Sequence, residues 1–269
     1  MYTDFHAHFD STAPDDVKAF VQNCEANDAR AVMTGGWMGG DRIYAGHDEI
    51  KKYCSIYSER LLPAAKIDLW DQKPDTALLR KLKDEGFVMA KFICPYYEYD
   101  HDLYMPVYEE LEKLEMPALF HTGIHFPCQA DVKYKRPMLL NMDPLRLDRL
   151  ARSFPKLRIV AAHMGTTFYR VQAAQLVKVF PNVYTDLAGS GAWKGLLPEE
   201  VRYYLRDIMD RESVRHFAKL IFGSDCYVSH PEIQTMAVRH YLNIFAENGL
   251  PQEMIDAIMG GTVSEWLGI

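Results

Sequence analysis

The chain has 269 residues, a formal net charge of −7 at neutral pH and five cysteines. This charge argues against a nucleic-acid-binding protein, which normally shows a basic face. The cysteines are irregularly spaced and form neither a disulfide framework nor a CxxC pair. No basic leader precedes a long apolar segment, and no apolar run is long enough to cross a bilayer. We therefore expect a cytoplasmic protein with neither a nucleic-acid nor a membrane partner.

Short apolar runs typical of β-strands alternate with longer helical patterns along the whole chain. The runs predict strands at Tyr2–Phe5, Ala31–Thr34, Leu62–Ile67, Val88–Ile93, Ala118–His121, Arg158–Ala162, Val183–Asp186 and Leu220–Phe222. The helical patterns predict helices at Pro14–Ala26, His47–Glu59, Pro74–Glu85, Leu103–Leu114, Pro144–Ser153, Phe168–Phe180, Pro198–Arg211, Pro231–Asn248 and Gln252–Trp266. Eight strand–helix units in 269 residues average about 34 residues each. This repeat predicts an α/β fold, a single (β/α)8 TIM barrel domain over residues 1–269.

Five side chains with metal-binding chemistry lie at the carboxyl ends of predicted strands. These are His6, His8, His121, His163 and Asp225. The links that follow predicted strands are longer and richer in polar and aromatic residues than the links that follow helices. In barrels of this type the active site forms at the face where these longer links lie. The five side chains are therefore predicted to share one site.

The opening segment Asp4-Phe5-His6-Ala7-His8 places two imidazoles on one face of a strand, because side chains at i and i+2 project to the same side. Burying imidazoles and a carboxylate at the mouth of an apolar barrel is costly unless they are paired or bound to metal. Three histidines and one aspartate suit Zn²⁺ with a position left for water. The alternative is a structural role, in which His6 and His8 form hydrogen bonds and Asp225 caps a turn. Asp4 could orient a ligand ring or bond to nearby backbone.

The motifs resemble those of the amidohydrolase superfamily, in particular its branch related to aminocarboxymuconate-semialdehyde decarboxylase. The matching segments are Asp4–His8, Leu119–Gly123, Ala162–Gly165, Phe222–Asp225 and the closing Ile258–Ile269, in which Thr262 stands where asparagine is usual. The resemblance spans the chain. It implies that the metal ligands are His6, His8, His121 and Asp225, with His163 close by in a catalytic role.

Lys91, within the predicted fourth strand, leaves the number of metal ions open. In binuclear members of the superfamily a carboxylated lysine from this strand bridges two metals, and His163 would then bind the second ion. In the decarboxylase-like branch a lysine here is common without that modification. We predict one Zn²⁺ ion, with two ions and a carboxylated Lys91 as the alternative.

The loops at the predicted mouth carry aromatic and cationic side chains, and the segment Thr122–Asp143 is predicted to form a lid. Guanidinium groups bind carboxylates through two parallel hydrogen bonds, and aromatic loops favour a planar ligand. We therefore expect a small acidic substrate. The candidate substrate-binding residues are Lys91, Trp37, Tyr97 and Arg136.

These features predict a metal-dependent hydrolase that cleaves an amide, ester or lactone bond through metal-activated water. Asp225 would move the proton, and His163 would stabilise developing negative charge. The alternative is a metal-dependent non-oxidative decarboxylase or hydratase, a lyase acting on an unsaturated or aromatic carboxylic acid. A third class is a metal-holding barrel without turnover. Barrels of the resembling branch commonly pair, so the resemblance makes a homodimer possible, although the sequence itself does not specify the oligomeric state.

Overall fold

The computed structural model describes residues 1–35, 44–69, 75–125, 138–189, 196–207 and 209–269. Within them, parallel strands form one sheet in the order β7-β6-β5-β4-β3-β2-β1-β8. The strands are β1 (Tyr2–His8), β2 (Ala29–Thr34), β3 (Leu61–Lys66), β4 (Met89–Phe92), β5 (Ala118–Phe120), β6 (Ile159–Ala161), β7 (Val183–Thr185) and β8 (Cys226–Tyr227). Helices follow the strands along the chain, which confirms the predicted (β/α)8 barrel.

The helices of the described residues run mostly along the outside of the sheet. They are α1 (Pro14–Ala26), α2 (His47–Ile56), α3 (Thr76–Asp84), α4 (Met105–Lys113), α5 (Leu147–Ser153), α6 (Thr166–Val179), α7 (Pro198–Leu205), α8 (Glu232–Glu247), α9 (Gln252–Asp256) and α10 (Thr262–Leu267). Helix α1 shows why they form. Pro14 occupies its first turn, where a missing N–H costs nothing. Val17, Phe20, Val21 and Cys24 recur at helical spacing and are buried.

The barrel closes through a segment that precedes β8. The Ile221 N–H donates to the Thr185 carbonyl at 2.8 Å, and the Phe5 N–H donates to the Phe222 carbonyl at 2.9 Å. Leu220–Phe222, the predicted eighth strand, thus bridges β7 and β1, but the regular ladder with β1 lies at Cys226–Tyr227. The ladder is interrupted because Asp225 has a φ of +57°, which no strand residue adopts.

Helix α7 is shorter than predicted. It ends at Leu205, because Arg206 adopts an extended conformation with ψ 151°. The Asp207 carboxylate then accepts the Met209 N–H at 2.8 Å and pairs with Arg215. An aspartate that bonds to backbone two residues on offers the chain a turn in place of a helix.

Two apolar layers line the sheet. One lies between the strands and the surrounding helices, and the other fills the barrel interior. The interior layer contains Phe5, Val32, Ala64, Met89, Leu119, Val160, Ala162, Ile221 and Val263. Side chains alternate along a strand, so the next inward positions lie two residues further on. On β2, β3, β4 and after β5 these positions hold Thr34, Lys66, Lys91 and His121. The interior therefore changes from apolar to polar toward the carboxyl ends of the strands.

Cys24 and Cys54 are buried as free thiols in the layer beneath the helices. Burial raises the pKa of each thiol to about 12. Among the helices in the described part of the chain, none has the length and apolar character that a bilayer crossing requires.

Candidate metal centre

The Asp4 carboxylate fixes the strand that carries His6 and His8. It accepts the backbone N–H groups of His6 at 3.2 Å and Ser224 at 3.0 Å. It also accepts the Ser224 hydroxyl at 2.6 Å and the Gln234 amide at 3.0 Å. Of the two predicted roles, Asp4 therefore takes the backbone role, and it ties β1 to the segment that leads into Asp225.

Asp225 Oδ1 contacts both imidazoles of β1 at the mouth of the barrel. Asp225 Oδ1 lies 2.7 Å from His8 Nε2 and 3.3 Å from His6 Nε2. Ligands about 2.0–2.1 Å from a tetrahedral zinc ion are roughly 3.3 Å apart, which matches the separation of His6 Nε2 and Asp225 Oδ1, whereas His8 Nε2 lies at hydrogen-bond distance from the same oxygen. Among the described residues, the group whose donor atoms could together hold a divalent cation is His6, His163 and Asp225, with His8 in contact with Asp225.

Lys91 Nζ lies 2.9 Å from His6 Nε2. Burial lowers the pKa of this lysine to about 8. An unmodified ammonium donates its hydrogen to the same lone pair that an ion would bind. An unmodified Lys91 and a cation therefore compete for His6 Nε2.

Asp186, which is not among the predicted site residues, orients His6. Its Oδ2 lies 2.8 Å from His6 Nδ1, and its Oδ1 accepts the backbone N–H groups of His163 at 2.5 Å and Ala188 at 3.1 Å. A carboxylate on Nδ1–H fixes the tautomer, so that the Nε2 lone pair faces the other ligands. A signal was present in the sequence: Asp186 is the last residue of the predicted strand Val183–Asp186, at the carboxyl end where the other candidate side chains lie.

His121 and His163 form a second pair of facing nitrogens. His163 Nε2 lies 3.0 Å from His121 Nδ1. The other nitrogen of His163 lies 2.9 Å from the Ala188 carbonyl, and that of His121 lies 3.1 Å from the Ile124 carbonyl. Two neutral imidazoles carry two N–H hydrogens, and the two carbonyls take both. The facing nitrogens then present two lone pairs, which suits a shared proton or a cation.

The predicted ligands thus fall into two neighbouring groups. His6, His8 and Asp225 are in direct contact, whereas the closest polar partner of the His121 ring is His163. The groups adjoin, because His6, His163 and Asp225 each offer a donor atom within 4.8 Å of the other two.

Burial decides the charge of the imidazoles. It lowers the pKa of His6 and His121 well below the ordinary value, and that of His163 to about 4. Neutral imidazole is the form that binds metal. Burial alone raises the pKa of Asp225, but the imidazoles of His6 and His8 outweigh it and hold that pKa below its ordinary range.

Backbone strain is concentrated here. His163 and Asp225 have φ of +66° and +57°, a region that non-glycine residues seldom occupy. Gly189 has a φ of +96°, and a Cβ at this position would lie 2.7 Å from His163 Nδ1. Conformations of this kind persist when the surroundings impose them, and they cluster at functional sites.

The predicted substrate-binding residues are only partly covered by the structure. Lys91 lies in the cluster. Tyr97 is half-buried, and its ring stacks on His101 with centroids 4.2 Å apart. Trp37, Arg136 and most of the predicted lid lie outside the described residues.

Residues 3–269 match the amidohydrolase family, and the chain belongs to it. No curated protein matches the chain. Among solved structures, an uncharacterised TIM-barrel protein from Bordetella bronchiseptica superimposes with a TM-score of 0.72 at 16% identity, covering 99% of this chain and 98% of that one. A probable 2-pyrone-4,6-dicarboxylic acid hydrolase from Acinetobacter baumannii, with citric acid bound, gives 0.62 at 16% identity over 100% and 99%.

A dihydroxybenzoic acid decarboxylase from Polaromonas, with bound manganese and 2-nitroresorcinol, gives a TM-score of 0.64 at 15% identity over 99% and 96% of the two chains. At such identities the likeness establishes the fold alone. Family membership adds that this is an enzyme of the amidohydrolase superfamily, which is metal-dependent, and the described residues hold a possible His/Asp site for the metal.

Proposed function

We propose that the protein is a zinc-dependent hydrolase that cleaves an amide, ester or lactone bond in a small carboxylated substrate. One observation carries the proposal: His6 Nε2 and His8 Nε2 converge on Asp225 Oδ1 at 3.3 and 2.7 Å, at the carboxyl end of the barrel strands. A divalent cation held there would polarise a carbonyl and lower the pKa of a water molecule.

Asp225 is the proton acceptor of this proposal. Its side chain is 16% exposed, so the carboxylate reaches the solvent at the mouth while it contacts both histidines of β1. The lowered pKa keeps it ionised at neutral pH. An ionised carboxylate beside the reacting water can take its proton as the carbonyl is attacked.

His163 offers a proton-accepting nitrogen to the substrate. Its Nδ1–H is engaged by the Ala188 carbonyl, so Nε2 carries the free lone pair. In the neutral state this nitrogen accepts a proton rather than donates one. If the proton that Asp225 takes from the attacking water passes to this nitrogen, His163 can donate it in a hydrogen bond to the substrate oxygen that develops negative charge, the role expected for it.

Decarboxylation of an aromatic or unsaturated acid is the second candidate. The observation that favours it is the buried Lys91 ammonium next to the cluster, because protonation of carbon needs a donor close to the substrate. The relatives of similar fold include both a decarboxylase and a hydrolase.

The test is turnover by zinc-reconstituted enzyme on two matched panels: lactones and esters of aromatic acids, and the corresponding hydroxybenzoates, with CO₂ release measured separately. Lactone or ester opening without CO₂ supports the hydrolase. CO₂ release without ring opening replaces it with the second candidate. Turnover on neither panel by metal-loaded protein refutes both.

The metal requirement is tested by His8→Ala, which should lose bound zinc and activity together, because it removes one of the three converging donors. The matched control is His230→Ala, whose side chain is 55% exposed. Zinc per chain is measured by elemental analysis on both variants. Full zinc content and activity in His8→Ala would contradict the proposed centre.

A further inference from the structure

A cavity lies on the outside of the barrel, between helices α6 and α7 and the segment that follows α7. Its volume is about 290 Å³, close to the lower end of the range for small-molecule sites, which starts at about 300 Å³. Its lining includes Lys178, Tyr203, Tyr204, Arg206, Asp207 and Arg211. None of these residues belongs to the candidate metal centre, so a ligand of this cavity is distinct from the substrate at the barrel mouth.

The lining of the cavity is rich in positive charge. Lys178, Arg206 and Arg211 line it, in a chain whose formal net charge is −7. Among the ion pairs of the described residues, none includes any of these three cations, whereas the neighbouring Arg202 and Arg215 are both paired. The pKa of Lys178 is lowered, first by burial and then by the positive charge of Arg206. The cavity therefore brings cations together at a cost that a bound anion would relieve.

The carboxylate in the lining, Asp207, is buried and already engaged. It accepts the Met209 N–H at 2.8 Å and forms an ion pair with Arg215. Its attraction raises the pKa of Lys178 less than burial and the charge of Arg206 lower it. One carboxylate with these commitments leaves the positive charge of the cavity in excess.

Two tyrosines form an aromatic wall beside the cations. The rings of Tyr203 and Tyr204 meet edge to face, with centroids 5.4 Å apart. The guanidinium carbon of Arg206 lies 5.1 Å from the centroid of the Tyr203 ring. This contact orders the guanidinium group, and an ordered guanidinium binds a phosphate group through two parallel hydrogen bonds. The wall also offers an apolar surface to the organic part of a ligand.

We propose that this cavity binds a small phosphate monoester, with the phosphate group among Lys178, Arg206 and Arg211 and the organic part on the tyrosines. A phosphate monoester carries a charge of about −1.5 to −2 at neutral pH and has three strong acceptor oxygens. It therefore matches the three cations better than a single carboxylate does. The proposal goes beyond the proposed function, because it does not depend on the reaction at the barrel mouth.

The experiment titrates the zinc-loaded enzyme with phenyl phosphate by calorimetry at low ionic strength. Wild-type protein should bind this probe with a Kd below about 1 mM. Phenol, which lacks the phosphate, should bind at least 10-fold more weakly, and inorganic phosphate, which lacks the ring, about 3-fold more weakly. Lys178→Met and Arg206→Gln should each weaken phenyl phosphate binding about 10-fold, the lower end of the effect of losing a hydrogen bond to a charged group.

Three controls locate the binding. Phosphate groups also bind zinc, so His8→Ala, which is expected to lose the ion, should keep its affinity for phenyl phosphate. Lys81→Met removes a 68% exposed lysine on α3, outside the cavity, and should also keep it. Lys178→Met should keep or raise the melting temperature, because it removes repulsion from Arg206. A purely structural Lys178 would lower the melting temperature on substitution and leave the affinity unchanged.

The proposal is overturned if wild-type protein does not bind phenyl phosphate, or if Lys178→Met and Arg206→Gln bind it as tightly as wild type. An equal loss in Lys81→Met would overturn it too, because the attraction would then belong to surface charge in general. Equal affinity for inorganic phosphate would replace the ester with the free ion. Tighter binding of hexaglutamate, lost in the same two variants, would replace it with an acidic protein partner.

Discussion

Asp186 is expected to control zinc affinity through a single hydrogen bond. Its Oδ2 holds the Nδ1–H of His6 at 2.8 Å, and its other oxygen accepts two backbone N–H groups. In Asp186→Asn the amide can keep its oxygen on the backbone donors only by turning its NH₂ toward His6. The ring then has to accept at Nδ1, which moves its hydrogen to Nε2, the atom that faces Asp225.

The expected loss of zinc affinity follows from this change of tautomer. Carboxylates that support metal-bound histidines are worth 10- to 100-fold in metal affinity, about 1.4–2.7 kcal/mol. Asp186→Asn should fall at the upper end of that range, because it both removes the charge and disfavours the required tautomer. Asp186→Ala loses the charge without imposing the wrong tautomer, and should fall lower in the range.

Zinc dissociation constants are measured by competition with a chromogenic chelator, alongside the melting temperature of the metal-free proteins. Asp207→Asn is the matched control. Its carboxylate is also buried and accepts backbone N–H groups, but it pairs with Arg215. Zinc affinity of Asp186→Asn within 2-fold of wild type would refute the tautomer argument, as would an equal loss in Asp207→Asn.

The remaining predictions concern strain, thiol reactivity and ion number. Gly189→Ala should lower the free energy of unfolding in urea by about 1–3 kcal/mol and should also lower activity. Gly249 also has a positive φ but lies in open space, so Gly249→Ala should lose stability and keep its activity. Equal activities of the two variants would contradict this prediction. At pH 8, iodoacetamide should leave Cys24 and Cys54 unlabelled in native protein, because burial raises the pKa of both thiols to about 12. Rapid labelling of either thiol would contradict this prediction, because it would show that the thiol is accessible. Lys91→Met should keep one zinc per chain by elemental analysis; a fall from two to one would establish the two-ion alternative.

The barrel could be predicted from the sequence because its signal is repeated. Each strand–helix unit adds an independent apolar run, so small errors at the ends leave the architecture intact. The misplaced features lie where local chemistry overrides periodicity. Helix α7 ends early at the Asp207 turn, and the last ladder moves because Asp225 leaves the β region. Neither the turn nor the positive φ changes the hydrophobic pattern.

The site was predictable for a different reason, and only in part. His6 and His8 are two apart on one strand, so their proximity is local, and Asp225 shares their end of the barrel. Asp186 satisfies the same positional criterion, but an aspartate after a strand is common in loops. Only barrel closure, in which Leu220–Phe222 bridges β7 and β1, shows that Asp186 reaches His6.

Lys66 shows that the sequence pattern does not reveal which polar side chains the barrel buries. In the sequence it is one lysine at the end of an apolar run, and a solvated lysine there is the ordinary expectation. Its burial follows from barrel closure, which turns every second residue of β3 inward. The apolar layer ends at the level of Ala64, and the next inward layer must be polar because it faces the centre that holds the charges. Which polar residues fill that layer is set by what they have to contact, and the hydrophobic pattern of the sequence carries no information about those contacts.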